Sequence, residues 1–235
     1  MSTKKILVLA PVLPEPSDIE SIAKSLSFLN KEYDIDFIDS LTIMQDVSNE
    51  EYYQLWENEL QKRVINYDAF LGFSFGGVIL QQCFSIFSTL NKPIILFSTP
   101  TRANDSLTQK LGNVLSLCKE NKLNDALKIL YDDVYYPDKA PTLSRENSNS
   151  DLAAKRLIFG LSRVLATDST KIAQQSSVKH LHLIGEYSCL VNEHNVIAPK
   201  SGRLVIVPGA SMRVLENNLP YCKKLIMETL ISETE

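Results

Sequence analysis

Residues 69–82 read Ala69-Phe70-Leu71-Gly72-Phe73-Ser74-Phe75-Gly76-Gly77-Val78-Ile79-Leu80-Gln81-Gln82. A short apolar run of strand character leads into a serine flanked by glycines, and a helical run follows it. The motif is G-x-S-x-G in a strand-turn-helix setting, which is the context a nucleophile elbow requires. Glycines belong there because so sharp a turn leaves no room for side chains where strand and helix converge. Ser74 then stands at the C-terminal end of a strand and beside a helix N-terminus, with the Phe75 backbone N–H directed at a developing oxyanion.

Outward from this turn, short apolar runs alternate with helical stretches, the pattern of a mainly parallel sheet with crossover helices. Candidate strands are residues 6–10, 35–39, 69–73, 94–98, 180–185 and 204–207. Helical spacing links Ile19, Ile22, Ala23, Leu26 and Leu29 behind the cap candidates Ser17 and Asp18. A second helix is predicted over 49–66, with Trp56 as a core residue, and further helices over 78–90 and 215–231. Residues 101–178 break the alternation: they hold no convincing strand and show helical patterns over 104–120, 122–131 and 151–166. Tyr135-Tyr136-Pro137 and the polar tract 144–150 read as loop. The expected architecture is an α/β fold with a mainly parallel six-stranded sheet and helices on both faces. Its core comprises residues 1–100 and 179–235, and residues 101–178 form a helical lid inserted over the sheet. A separate small helical domain is the alternative for the insert.

Composition narrows the function classes. The 235 residues carry 24 Lys and Arg against 28 Asp and Glu, a net charge of −4, with 44% apolar residues, 8 Gly and 10 Pro. These values fit one globular domain and exclude collagen-like or largely disordered chains. No concentrated basic face is visible, which argues against nucleic acid and acidic lipid partners. The longest apolar runs fall well short of the roughly 20 residues that span a bilayer. Lys4 and Lys5 before an apolar run superficially resemble a signal peptide, but prolines at 11, 14 and 16 interrupt it. Cys83, Cys118, Cys189 and Cys222 are scattered without metal-ligand spacing, so the reading calls for no metal and no cofactor. They fit reduced thiols in a cytoplasmic protein.

Over nearly its whole length the chain resembles the α/β-hydrolase superfamily, and within it the small serine esterases and thioesterases that include pimeloyl-carrier-protein methyl ester esterases. The resemblance rests on the first strand and its loop, the elbow, the insert after Phe97-Ser98-Thr99-Pro100, the turn after Ile184-Gly185-Glu186 and the turn Val207-Pro208-Gly209-Ala210. It implies an acid in a G-x-x-D-like turn and a histidine in a P-G-A-x-H-like turn. Here Ser188 stands at the acid position and Met212 at the base position, with Ser211 the alternative by a shift of one residue. The first-strand loop reads Ala10-Pro11-Val12-Leu13-Pro14 where relatives place His-Gly, so Pro11 offers no N–H to an oxyanion hole and Val12 does.

No histidine follows His194, and His180 and His182 share one face of a strand. His194 is the substitute base left to an enzyme reading, with surface exposure its plainer role. Glu186 and Glu193 are nearby carboxylates of equally open assignment. A serine hydroxyl without a base is a poor nucleophile. The expectation is a non-hydrolytic protein holding an acyl or other small hydrophobic ligand, free or carrier-protein-bound. The alternative is an esterase, thioesterase or acyltransferase that works through Ser74 with a non-standard base. An apolar pocket is expected over Ser74, with Val12, Leu13, Phe73 and Phe75 near its floor.

Overall fold

The computed structural model of the chain describes residues 3–141 and 150–231. In chain order the elements are β1 (Lys4–Leu9), α1 (Ile19–Ser25), β2 (Tyr33–Ile38), α2 (Asn49–Gln61), β3 (Ala69–Phe73), α3 (Phe75–Gln82), α4 (Phe84–Phe87) and β4 (Ile94–Phe97). Then come α5 (Asp105–Lys119), α6 (Leu123–Tyr135), α7 (Ser150–Ala166), α8 (Thr170–Gln175), β5 (His180–Gly185), β6 (Gly202–Val207), α9 (Val214–Asn217) and α10 (Leu219–Ile231). The six strands form one sheet in the order β2-β1-β3-β4-β5-β6, and every adjacent pair is parallel. No helix among the described residues is long and apolar enough to cross a membrane.

Each expected strand is present, with edges moved by at most two residues, but four expected helices are divided. The run 19–29 ends as α1 at Ser25 and continues as a 3-10 turn over Ser27–Leu29. The run 49–66 ends as α2 at Gln61 and resumes as a 3-10 turn over Val64–Asn66. The run 78–90 splits at Cys83, whose N–H is shared between the Ile79 and Leu80 carbonyls at 3.1 and 3.2 Å. The C-terminal run splits at Asn218, whose backbone leaves the helical region (φ −142°, ψ 63°). Pro220 follows in the first turn of α10, where a missing N–H is tolerated. In α2, Ser48 and Glu51 form a reciprocal capping box, and Trp56 is fully buried as expected. Helix α6 runs through Tyr135, which the sequence placed in a loop. Most of the expected polar loop, 144–150, lies outside the described residues.

Alternation along the strands divides the interior in two. Ile6, Val8, Ile95, Phe97, Leu181 and Leu183 face α1 and α10. Leu7, Leu9, Phe70, Leu96 and Ile184 face α2 and α3, and their apolar cluster runs without interruption into Leu107, Leu111, Leu157 and Leu161 of the insert. The insert thus shares its interior with one face of the sheet.

One buried ion pair fixes the insert to the strand ends. Arg156 of α7 is 4% exposed and reaches Asp39, just after β2, through Nη2 at 3.0 and 2.9 Å from the two carboxylate oxygens. Its Nε donates to the Leu13 carbonyl at 2.9 Å. Removing one partner of such a pair strands a charge in low dielectric. Arg156→Met is therefore expected to lower the unfolding free energy by about 3–5 kcal/mol in urea titration, and Arg156→Met with Asp39→Leu to recover most of that loss.

Candidate functional site

The turn between β3 and α3 is built by backbone approach. A Cβ on Gly76 would lie 2.3 Å from the Leu9 carbonyl oxygen, and one on Gly77 would lie 1.9 Å from Thr99 Oγ1. Only hydrogen fits at either position, so the start of α3 lies directly on the ends of β1 and β4. Ser74 absorbs the remaining bend at φ 47°, ψ −109°, a region L side chains rarely adopt. Its N–H donates to the Phe97 carbonyl at 2.8 Å. Phe75 opens α3, where backbone N–H groups have no intrahelical acceptor.

Ser74 opens into a cavity of about 880 Å³ between the sheet edge and the helical insert. Val12, Leu13 and Phe73 line it from below, and Leu107, Leu130 and Leu161 line it from the insert. Phe75 does not: its side chain is fully buried and stacks on Tyr52 at 6.2 Å between ring centroids. The pocket-floor expectation for that residue is corrected, because the first helical residue after the turn points into the core. Val12 is held from above by α7, where a Cβ on Gly160 would come within 2.5 Å of its Cγ2.

Met212 lines the same cavity as Ser74. Its carbonyl accepts a 2.7 Å hydrogen bond from Ser98 Oγ, so a left-handed residue after β4 (φ 43°) holds the loop after β6. Ser211 turns away: its hydroxyl donates to Asn217 Oδ1 at 2.6 Å and accepts from the Arg213 N–H at 3.1 Å. Ser188 is buried, accepts the Val191 N–H at 3.2 Å as a turn cap, and is absent from the cavity lining. His194 is exposed and also absent from the lining. Glu186 and Glu193 are exposed, with Glu186 accepting the Gly209 N–H at 2.8 Å. The structure thus brings Ser74, Met212, Val12, Leu13 and Phe73 to one cavity and leaves Ser188 and His194 out of it.

The two strand histidines are interior residues. Burial holds both below the usual imidazole range, His182 down to about 3. His182 Nε2 accepts the Thr99 N–H at 3.3 Å, which places the ring proton on Nδ1, a buried atom with no partner.

Tyr131, Tyr135, Arg213 and Glu216 also line the cavity, and the sequence reading singled out none of them for the site. Arg213 lies 3.8 Å over the Tyr135 ring and is ion-paired with Glu216. Burial, with help from Asp18, pushes the Tyr131 hydroxyl up to about 12. An i, i+3 Arg-Glu pair was visible in the sequence, but nothing there showed that it meets α6.

No family model matches the chain, and no curated protein does. Solved structures do match. An α/β-hydrolase enzyme from a Medee basin deep-sea metagenome library superposes with a TM-score of 0.72 at 13% identity, over 100% of this chain and 90% of that one. MenH from S. aureus gives 0.66 at 13% identity over 100% and 96%. A bromoperoxidase from Bacillus anthracis gives 0.71 at 13% identity over 97% and 92%. The chain has the α/β-hydrolase fold.

Two measurements check this geometry. Glycine is at home at the Ser74 backbone angles, so relief of strain outweighs the added freedom of the unfolded chain. Ser74→Gly is expected to raise the unfolding free energy by about 1 kcal/mol. His180 and His182 stay neutral when folded but take up protons below about pH 6.5 when unfolded, so the unfolded state binds more protons there. Stability is expected to be full above that pH and to fall towards pH 4, by up to about 1.4 kcal/mol per pH unit for each such histidine. His182→Leu should flatten that slope.

Proposed function

We propose that this protein is a non-hydrolytic member of the α/β-hydrolase class that holds an acyl or other small hydrophobic ligand, free or carrier-protein-bound, beneath a helical cap formed by residues 101–178. The observation that carries this reading is the cavity itself: it is largely apolar, it contains Ser74, and Met212 rather than an imidazole shares it. A thioether cannot take a proton from the serine hydroxyl near neutral pH. Loss of the base from a serine triad costs on the order of 10⁶ in turnover. The volume of about 880 Å³ lies in the range of small-molecule sites. Four unpaired cysteines fit a reducing, cytoplasmic setting.

One observation favours the enzyme reading. The chain keeps Ser74 in a strained conformation at the N-terminus of α3 and open to the cavity, as an activated nucleophile would be. In that reading a bound substrate group or a water supplies the base, since His194 is exposed and does not line the cavity.

A fluorophosphonate probe and p-nitrophenyl and thioester substrates separate the two. Wild type is expected to show neither labelling nor turnover, while medium-chain acyl compounds raise its melting temperature. Stoichiometric labelling with turnover lost in Ser74→Ala would overturn the binding reading. If the rest of the site is competent, Met212→His, alone or with Ser188→Asp, should produce ester hydrolysis at least ~10²-fold above wild type, a fraction of what a full triad supplies.

A further inference from the structure

Lys110 of α5, Asp133 of α6 and Cys189 in the turn after β5 meet behind the wall of the cavity. Lys110 Nζ donates to Asp133 Oδ1 and lies 3.6 Å from Cys189 Sγ. The thiol lies 3.4 Å from the same carboxylate oxygen and 3.2 Å from the Asp133 carbonyl. The Lys110 and Asp133 side chains keep 31% and 22% of their exposure and Cys189 is half-buried, so the group lies near the surface. The other thiols are buried; Cys83 and Cys222 face backbone carbonyls, and Cys118 has no amine in contact among the described residues. Among the described residues, Cys189 alone has an amine in contact.

We propose that Cys189 and Lys110 are a modification site, at which a peroxide drives formation of a covalent sulfur–nitrogen cross-link between the helical insert and the sheet. In the first step the sulfur attacks one peroxide oxygen and the O–O bond breaks. Asp133 takes the thiol proton and passes it to the departing hydroxide, giving a sulfenic acid and one water. Sulfur is oxidised and the peroxide reduced. In the second step the Lys110 amine, having released its ammonium proton to solvent, attacks the sulfenyl sulfur. The S–N bond forms, the S–O bond breaks, and the leaving hydroxide takes an amine proton as a second water. One peroxide is consumed, and the product is a sulfenamide that thiols reduce.

Two features support the pair, and one sets its rate. The carboxylate is in contact with both the thiol and the ammonium, so it serves the first step and keeps the nitrogen beside the sulfur. Against the effect of burial it also raises the Lys110 ammonium, so the second step waits on loss of that proton. Lysine carries four rotatable carbons, enough to close the remaining distance without moving α5. Burial and Asp133 raise the Cys189 thiol, with Lys110 offsetting part of that, so the sulfur reacts slowly and the link answers to sustained oxidant. Lys110 lies between Leu107 and Leu111, and Cys189 precedes Leu190 and Val191, all four of which line the cavity. The bond would therefore pin two cavity walls together. Its effect on ligand exchange rests on the binding reading above; the cross-link does not.

The test is peptide mapping of the whole protein, digested without reductant after hydrogen peroxide treatment. The expected product is a peptide pair joined through Lys110 and Cys189 with the loss of two hydrogens, abolished by dithiothreitol and absent from Cys189→Ser. Lys110→Arg keeps a cation for Asp133 but has no primary amine, so it should fold, show no link, and lack the rise in melting temperature expected of oxidised wild type. Cys189 converted to sulfinic acid with Lys110 unmodified would overturn the proposal. So would an unreacted Cys189 under peroxide that oxidises the exposed Met44.

Discussion

The structure depends on how closely the start of α3 approaches the strand ends. Strand β3 turns into this helix over a single residue, and the helix rests against the Leu9 carbonyl and the Thr99 side chain with no intervening Cβ. Had either glycine carried a methyl group, α3 would have to lift off the sheet, and Ser74 would lose both its backbone angles and its hydrogen bond to Phe97. The cavity thus inherits its position from the fit of two glycines, one against the Leu9 carbonyl and one against the Thr99 side chain. The glycines therefore serve packing whether or not the serine reacts.

Much of this was legible in the sequence for a physical reason. Period-two and period-3.6 apolar patterns report burial directly, so six strands and their order of use along the chain could be read. Helix interruptions were read less well: the break at Cys83 comes from carbonyl sharing with no proline or glycine to mark it, whereas Pro220, two residues after the break at Asn218, was a visible signal that the reading passed over. Within the site, Ser74 was read from its motif and Met212 from the family resemblance, and both line one cavity. Ser188 was read from the same resemblance, yet its side chain caps a turn, and a one-residue motif reading carries no information on side-chain direction.

The polar ties between insert and sheet were invisible for a different reason. Arg156 and Asp39 are 117 residues apart, and each on its own looks like a surface charge. Only folding shows that the pair is buried and joins the ends of two strand loops through one guanidinium. Arg213 on Tyr135 and the Lys110, Asp133 and Cys189 group make the same kind of connection elsewhere on the insert. The insert is thus held by a shared apolar interior and by polar contacts of differing burial, among them Arg163 on Asn49 and Tyr53 on Thr167.

The chain has 8 glycines, and six of them sit where a Cβ would come closer than 3.0 Å to a neighbouring atom. Nearly all of its glycine is committed to contacts between segments, which leaves almost none to loosen the loops around the cavity. Residues 10–14 and 98–104 contain no glycine, and the first of these carries prolines at both 11 and 14. A chamber walled by such segments is already shaped before anything enters it. The conformational entropy that a guest must overcome on entering is correspondingly small, and more of its apolar contact area is expressed as affinity.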